Sequence, residues 1–163
     1  MTKHPPPRIE ALGPKLLVGM AREMSQASDA TGELWRAFRP RIAEVIHRAT
    51  DEMISMRVYP GSARDVYDAD AHFWRWAAVE VSTHDHVPAG MEAYTLEGGS
   101  YAVFVHRGPA SDVGIFRHIF GEWLPASDFV LAHREHFEVL PAGYDPRDQN
   151  ATEEIWIPVD PKE

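Results

Sequence analysis

The pattern of apolar and polar positions predicts a chain made mostly of strands, with two amphipathic helical segments. The longest strand spans residues 72–82, where alternation puts Phe73 and Arg75 on one face and Trp74 and Trp76 on the other. Apolar runs bounded by turn residues predict the remaining strands, at residues 9–20 with a break near 13–14, 53–59, 91–96, 101–106, 135–140 and 154–159.

Two stretches carry apolar residues at the spacing of a helix. The first, over residues 31–46, keeps its apolar stripe in phase across Pro40, which favours one kinked helix over two separate helices. The second, over residues 113–124, ends before Pro125. We expect Phe38 of the first stretch and Phe116 and Phe120 of the second to be core residues.

The order strand, helix, strand, strand therefore occurs twice, over about residues 8–82 and 99–160. One such unit leaves a sheet face with too little cover, so two units are expected to pack together. The sequence predicts an α+β fold, in which duplicated βαββ units form a pseudo-symmetric antiparallel-sheet module. Residues 8–160 form its single domain, and residues 1–7, with three consecutive prolines, form a flexible N-terminus.

Composition excludes several classes of function. The 163 residues include 16 Lys and Arg against 25 Asp and Glu, a net charge of −9, and no basic run, so we expect no direct binding to nucleic acid. The absence of cysteine excludes disulfide scaffolds, iron–sulfur clusters and thiol nucleophiles. No apolar segment approaches the ~20 residues of a membrane span or marks a signal peptide, so we expect a cytoplasmic protein without membrane contact.

The nine histidines raise the question of a metal site. Their closest pairs, His84 with His86 and His133 with His136, do not match the HExxH spacing and lack an obvious third ligand. The signatures of serine hydrolases, P-loop nucleotide triphosphatases and dinucleotide-binding folds are missing too. We therefore expect no metal and no cofactor.

A succession of short motifs resembles the GyrI-like family, the effector-binding domains also found behind AraC- and MerR-type DNA-binding domains. The motifs are LWRAF at residues 34–38, AVEV at 78–81, PAG at 88–90, GSYAVFVHRG at 99–108, WLP at 123–125, FE at 137–138 and IWIP at 155–158. Each is weak alone, but their order and spacing cover nearly the whole chain.

The resemblance implies a duplicated βαββ fold with a central ligand cleft between the two halves. In the family this cleft takes lipophilic, often cationic molecules against aromatic walls and a buried glutamate, which Glu138 matches here. Family members often carry an aromatic residue two positions later, where this chain has Leu140, so the wall is expected to differ there. No DNA-binding domain is expected in this stand-alone module, so a transcriptional role would need a partner.

From the residues alone, Glu138 has two interpretations. On a solvated strand face a lone glutamate would have no special role, whereas an apolar, concave face would make it a ligand contact. A carboxylate on an apolar, concave strand face is desolvated, and a cationic ligand relieves that penalty. Aromatic rings hold planar cations by stacking and by the ring quadrupole. Aromatic residues at strand and helix spacing are also common in cores, which leaves open which of them line the cleft. The predicted ligand-binding residues are Glu138, Trp76, Trp74, Tyr59, Tyr94, Phe104, Trp123 and Trp156.

Three functions compete. The first is a binding module for lipophilic cations such as drugs and dyes. The second is a hydrolase that opens cyclopropane-type electrophiles, because some stand-alone GyrI-like proteins resemble such hydrolases. In that reaction Glu138 would be the general base, and Tyr59 or Tyr94 would be the donor. The third is a gyrase-inhibitor-like module that binds a protein partner, for which acidity favours a basic surface.

Overall fold

The chain forms an antiparallel sheet with helices along one of its faces. The computed structural model describes residues 4–163. The strands are β1 Arg8–Leu12, β2 Lys15–Ser25, β3 Met53–Val58, β4 His72–Val81, β5 Glu92–Leu96, β6 Gly99–Arg107, β7 Phe129–Leu131, β8 His136–Leu140 and β9 Thr152–Pro161. The helices are α1 Thr31–Phe38, α2 Gly114–His118 and α3 Leu124–Ala126.

Two copies of the same unit meet in the middle of the sheet. The strand order is β1-β6-β9-β8-β3-β4-β2-β5, with β7 paired to β9. The first unit is β2-α1-β3-β4 and the second is β6, then α2 and α3, then β8-β9, so the antiparallel β3–β8 pair joins equivalent strands of the two units. The duplicated βαββ fold expected from the sequence is therefore confirmed.

The two edge strands are exchanged between the units. Strand β1 pairs with β6 of the second unit, whereas β5 pairs with β2 of the first. Strand β1 lies at one end of the strand order, and β2 is next to the other end. Because only Gly13 and Pro14 separate β1 from β2 along the chain, the sheet must curve until its ends approach. The β1–β2 and β5–β6 connections meet there. Gly98, with φ +92°, has no room for a Cβ against the Leu12 carbonyl.

Each face of the sheet buries its own apolar residues. On the helix-free face, both units contribute to one cluster, whose large members are Leu17, Met56, Trp76, Tyr101, Phe137 and Trp156. On the helix-covered face, Phe38 of α1 and Phe73 of β4 belong to one cluster, and Phe104 and Ile155 belong to another beneath α2 and α3. Burying each of these side chains contributes about 1.5–3 kcal/mol to folding.

Two helical predictions need correction. The first stretch is not one kinked α-helix: α1 ends at Phe38, and a 3-10 turn over Arg39–Glu44 contains Pro40. Proline lacks an N–H and its ring clashes with the preceding turn, so the backbone changes its hydrogen-bonding pattern there. In the second stretch a π-helical turn, Ile119–Trp123, separates α2 from α3, and Pro125 lies within α3 because proline fits a first helical turn.

The ends of the chain and the strand boundaries differ in detail from expectation. Strand β2 continues to Ser25, beyond the predicted end at Met20, and β7 was not predicted at all. The flexible N-terminus predicted for residues 1–7 lies partly outside the described residues. None of the helices within residues 4–163 has the length and apolar character needed to span a bilayer.

Gly19 tests how closely β2 and β4 approach. A Cβ on Gly19 would clash with the Ala77 carbonyl and lie 2.7 Å from the Ala78 Cα, and neither backbone atom can move aside locally. We expect Gly19→Ala to lower the free energy of unfolding by about 1–3 kcal/mol in urea denaturation. Gly13→Ala is the matched control, since nothing lies within 4 Å of its Cβ position. Equal stability of the two variants would contradict this close packing.

Candidate functional site

A cleft of about 750 Å³ lies on the helix-covered face. Residues of β3, β4 and β8 form its floor, while α1 and the segment around α2 form its sides. Six aromatic rings line it, which are those of Trp35, Tyr67, Phe73, Phe116, Phe120 and Tyr144. The charged residues of the lining are Asp29, Arg39, Arg57, Arg75, Asp112, Arg117, Glu138 and Glu153. The cleft thus combines aromatic walls with charges of both signs.

The β3–β8 register places the polar residues of the floor. Ser55 lies opposite Glu138, and Arg57 lies opposite His136. Because side chains alternate along a strand, these four residues share the helix-covered face, whereas their neighbours point into the helix-free cluster. Arg75 of the adjacent strand β4 donates from Nη1 to the Ser55 Oγ at 3.2 Å. The centre of the sheet therefore carries a polar patch instead of apolar packing.

Two glutamates share this patch. Glu138 is half-buried, and Glu153 is only 6% exposed. Burial and the Glu138 carboxylate, to which Glu153 is hydrogen-bonded, raise the pKa of Glu153 well above its ordinary value. Glu153 therefore holds a proton near neutral pH and donates it to Glu138. The Tyr144 hydroxyl donates to Glu153 Oε2 at 3.5 Å, and the buried His106 Nδ1 lies 3.5 Å from Glu153 Oε1.

Two arginines border the same patch. The guanidinium carbons of Arg57 and Arg75 lie 5.6 and 5.4 Å from the centre of the Phe73 ring. Arg57 donates from Nη1 to the Tyr59 hydroxyl at 3.2 Å. Burial lowers the pKa of Arg75 to about 10, so its guanidinium keeps its charge at neutral pH. Burial and the charge of Arg57 lower the pKa of His136 to about 3, so that imidazole is neutral.

Of the predicted ligand-binding residues, Glu138 lines the cleft. Tyr59 is buried beside it, with its ring against Phe73 and its hydroxyl on Arg57. Trp74 and Trp76 lie on the opposite face of β4, and Tyr94 packs on Trp76 there.

The remaining three predicted residues also pack away from the large cleft. The ring of Trp123 meets Phe104 edge-on at 5.2 Å in the cluster beneath α2 and α3. Trp156 stacks on Phe137 at 5.2 Å on the helix-free face. A void of about 10 Å³ borders both Trp156 and Glu138.

Sequence reasoning missed several residues of the cleft. Phe116 and Phe120 were expected in the core, yet both are half-buried and line the cleft, whereas Phe38 is a core residue as expected. One signal in the sequence could have located the cleft. Arg75 is a charged residue in the middle of an apolar strand, and such a residue needs polar surroundings. Phe73, on the same face of β4, is the aromatic residue that this signal would have selected in place of the two tryptophans.

The histidines and tyrosines named for other chemistries serve the fold. The Nε2 atoms of His84 and His133 bond to the carbonyls of Leu17 and Tyr59, at 3.0 and 2.7 Å. Within residues 4–163 no three His, Asp or Glu side chains are grouped to hold a metal ion. Neither tyrosine proposed as a hydrolase donor lines the cleft; the tyrosine that lies beside the glutamates is Tyr144.

Comparison with known proteins identifies this architecture. Residues 5–160 match the family described as the GyrI-like small molecule binding domain. The chain belongs to this family. The resemblance drawn from the sequence motifs is therefore confirmed.

Relatives of this GyrI-like domain differ in length and in described role. The transcriptional regulator BrlR of Pseudomonas aeruginosa is 28% identical over 145 residues, which are 88% of this chain and 51% of BrlR. The chain thus spans about half the length of that relative. Two solved structures share the fold. SAV2435 bound to tetraphenylphosphonium matches with a TM-score of 0.66 and 18% identity, over 94% of this chain and 93% of its own. A hydrolase from Listeria innocua matches with a TM-score of 0.58 and 10% identity, over 95% and 92%.

The raised pKa of Glu153 leads to a prediction about stability. The pKa of Glu153 is higher in the folded than in the unfolded chain. At a pH above the ordinary glutamate pKa, the folded chain therefore still binds this proton, whereas the unfolded chain has lost it. The contribution of Glu153 is thus present at low pH and lost as pH rises. Between about pH 5 and pH 8, we expect the loss of this contribution to lower the free energy of unfolding by up to about 1.4 kcal/mol for each unit by which the pH rises.

The measurement compares denaturant unfolding of the wild-type domain and Glu153→Gln across that range. The glutamine keeps a donor toward Glu138 without titrating, so the variant should lose this part of the pH slope. Glu92→Gln, at an exposed glutamate of β5, should retain the wild-type slope. An unchanged slope in Glu153→Gln would show that Glu153 does not carry the proton.

Proposed function

We propose that this domain binds lipophilic aromatic molecules with a positive charge in the cleft, with Glu138 as their anionic contact. One observation carries the proposal: Glu138 is half-buried in an aromatic-lined cleft and forms no ion pair with any Lys or Arg of the described residues. A desolvated carboxylate without a cationic partner gains from a ligand that supplies one.

The surroundings of Glu138 suit this role. Because Glu153 keeps its proton, it stabilises the Glu138 carboxylate by donating a hydrogen bond instead of adding a second negative charge. The rings of Trp35, Phe116 and Phe120 offer flat apolar surfaces on the walls. Each ring that stacks on a planar cation contributes about 0.5–2 kcal/mol. The cleft volume of about 750 Å³ lies in the ordinary range for small-molecule sites.

The comparisons are consistent with this ligand class. SAV2435, whose fold this chain shares, has been solved with tetraphenylphosphonium, an aromatic cation. At 18% identity that likeness concerns the fold, so the ligand class of this chain rests on its own cleft. A part in transcriptional regulation and a gyrase-inhibitor-like protein partner both stay predictions, as does the cytoplasmic location.

Tetraphenylphosphonium is the probe for the test. We expect the wild-type domain to bind it with micromolar affinity in isothermal titration calorimetry. Glu138→Gln should weaken binding roughly 10- to 100-fold, about 1.4–2.7 kcal/mol, because the amide keeps the shape of the side chain and removes its charge. Glu92→Gln, the exposed control on β5, should bind as the wild type does.

Two results would contradict the proposal. Unchanged affinity of Glu138→Gln for tetraphenylphosphonium would remove Glu138 from the site. Equal affinity for the neutral analogue tetraphenylmethane, presented with a solubilising group remote from the rings, would show that charge is not recognised. Circular dichroism of each variant separates loss of binding from loss of fold.

A second candidate function is hydrolysis of an electrophilic cyclopropane. It is favoured by one observation, the Tyr144 hydroxyl beside the Glu138–Glu153 pair in the same cleft. In this reaction Glu138 would take a proton from a water molecule while the water oxygen bonds to a ring carbon. The ring C–C bond would break, its electron pair moving to the conjugated acceptor, which is then protonated. The hydrolase from Listeria innocua shares the fold.

Turnover distinguishes the two candidates. A hydrolase would convert a cyclopropane-containing alkylating agent to a product heavier by one water, observable by mass spectrometry. Glu138→Gln and Tyr144→Phe would each abolish that product. A binding protein would hold the compound without converting it.

A further inference from the structure

Two arginines in the cleft lack the partners that such residues normally have. Arg75 is only 7% exposed, and its Nε is buried without a hydrogen-bond acceptor. Among the described residues, Arg75 hydrogen-bonds only to the neutral Ser55 hydroxyl, and Arg57 only to the neutral Tyr59 hydroxyl. Within residues 4–163 neither guanidinium forms an ion pair with a carboxylate. Buried charges in folded proteins are ordinarily paired.

The nearby carboxylates attract these arginines without forming ion pairs with them. Glu138 and Asp29 attract Arg75 across the cleft without reaching ion-pair distance, and Glu153 holds a proton. Asp29 attracts Arg57 as well. Among residues 4–163, neither guanidinium therefore has a carboxylate at hydrogen-bond distance. A ligand with only a positive charge could contact Glu138 but would leave both guanidiniums without an oxyanion partner.

The arginines share one place in the cleft. Both guanidiniums lie beside the Phe73 ring, and both side chains line the cleft along with Glu138. Arg57 also lies 5.7 Å from the ring centre of Phe116, one of the cleft walls. A guanidinium is planar, and its donors match the two oxygens of a carboxylate. The free donors therefore form a ready site for an oxyanion next to the aromatic walls.

We infer that Arg57 and Arg75 form an anion subsite, so that the ligand of this cleft is an aromatic cation that also carries a carboxylate. The inference rests on the proposed function, in which Glu138 contacts the positive group. The ligand would place its cationic ring system toward Glu138 and its carboxylate toward the two guanidiniums. Such a zwitterion sets its positive group against Glu138 and one carboxylate against the two guanidiniums.

Rhodamine B and its ethyl ester are the matched probes. Both are aromatic xanthylium cations of nearly the same shape, but only rhodamine B has a free carboxylate. In fluorescence anisotropy titrations we expect the wild-type domain to bind rhodamine B at least about tenfold more tightly than the ester, as one charge-assisted contact to guanidinium would provide.

Variants assign that preference to the arginines. Arg57→Gln should weaken rhodamine B about tenfold and leave the ester unchanged or more tightly bound, because a repulsive charge is removed. Arg75→Gln should act in the same direction. If the substitution of the buried Arg75 unfolds the domain, Arg57→Gln still tests the anion subsite, because Arg57 is half-buried and its replacement disturbs the fold less. Arg64→Gln, at an exposed arginine outside the cleft lining, should change neither affinity.

The outcomes separate this inference from the proposed function. If the ester binds as tightly as rhodamine B, or if Arg57→Gln weakens both dyes equally, the anion subsite is overturned. The proposed function then survives provided that Glu138→Gln weakens the ester. If neither dye nor tetraphenylphosphonium binds, the proposed function fails, and the anion subsite fails with it.

Discussion

The structure depends on the antiparallel pairing of β3 with β8, which joins equivalent strands of the two βαββ units. Its register sets Ile54 opposite Val139 on the helix-free face and Ser55 opposite Glu138 on the helix-covered face. A shift by one residue would exchange the two faces, exposing the apolar set to the cleft and burying the charges in the core. The same pairing therefore closes the core and builds the site.

Charge in the cleft follows from this placement. The helices cover the outer parts of the sheet and leave its central strands open, so polar side chains on β3, β4 and β8 are desolvated without being enclosed. Glu153 responds by keeping its proton, because burial and the neighbouring Glu138 carboxylate both disfavour its charged form. Arg75 keeps its charge at neutral pH, and a guanidinium has donors but no acceptor, so the donors of Arg57 and Arg75 that lack partners stay available to a ligand.

Much of the fold could be predicted because its signals are local. Period-two alternation located the long strand β4 to within a residue, and the repeated strand and helix order gave the duplication. The end of α1 and strand β7 were not predicted, and the reasons are local as well. Pro40 changes the hydrogen bonding of its turn without disturbing the apolar spacing, so the stripe continued where the α-helix did not. Strand β7 has only three residues, too few for periodicity to register.

Sequence patterns were enough to predict which side chains share a face and that the chain forms two similar units, because both signals are local. The choice of Glu138 came from the resemblance of the motifs to the GyrI-like family. Alternation along β4 separates Trp74 and Trp76 from Phe73 and Arg75, but it does not say which face meets the ligand. That choice depends on where the helices pack and on the pairing of strands far apart in the chain, such as β3 with β8. Only the tertiary structure brought Arg57, Arg75 and Glu153 around Glu138, because burial and charge coupling arise between residues that are distant in sequence.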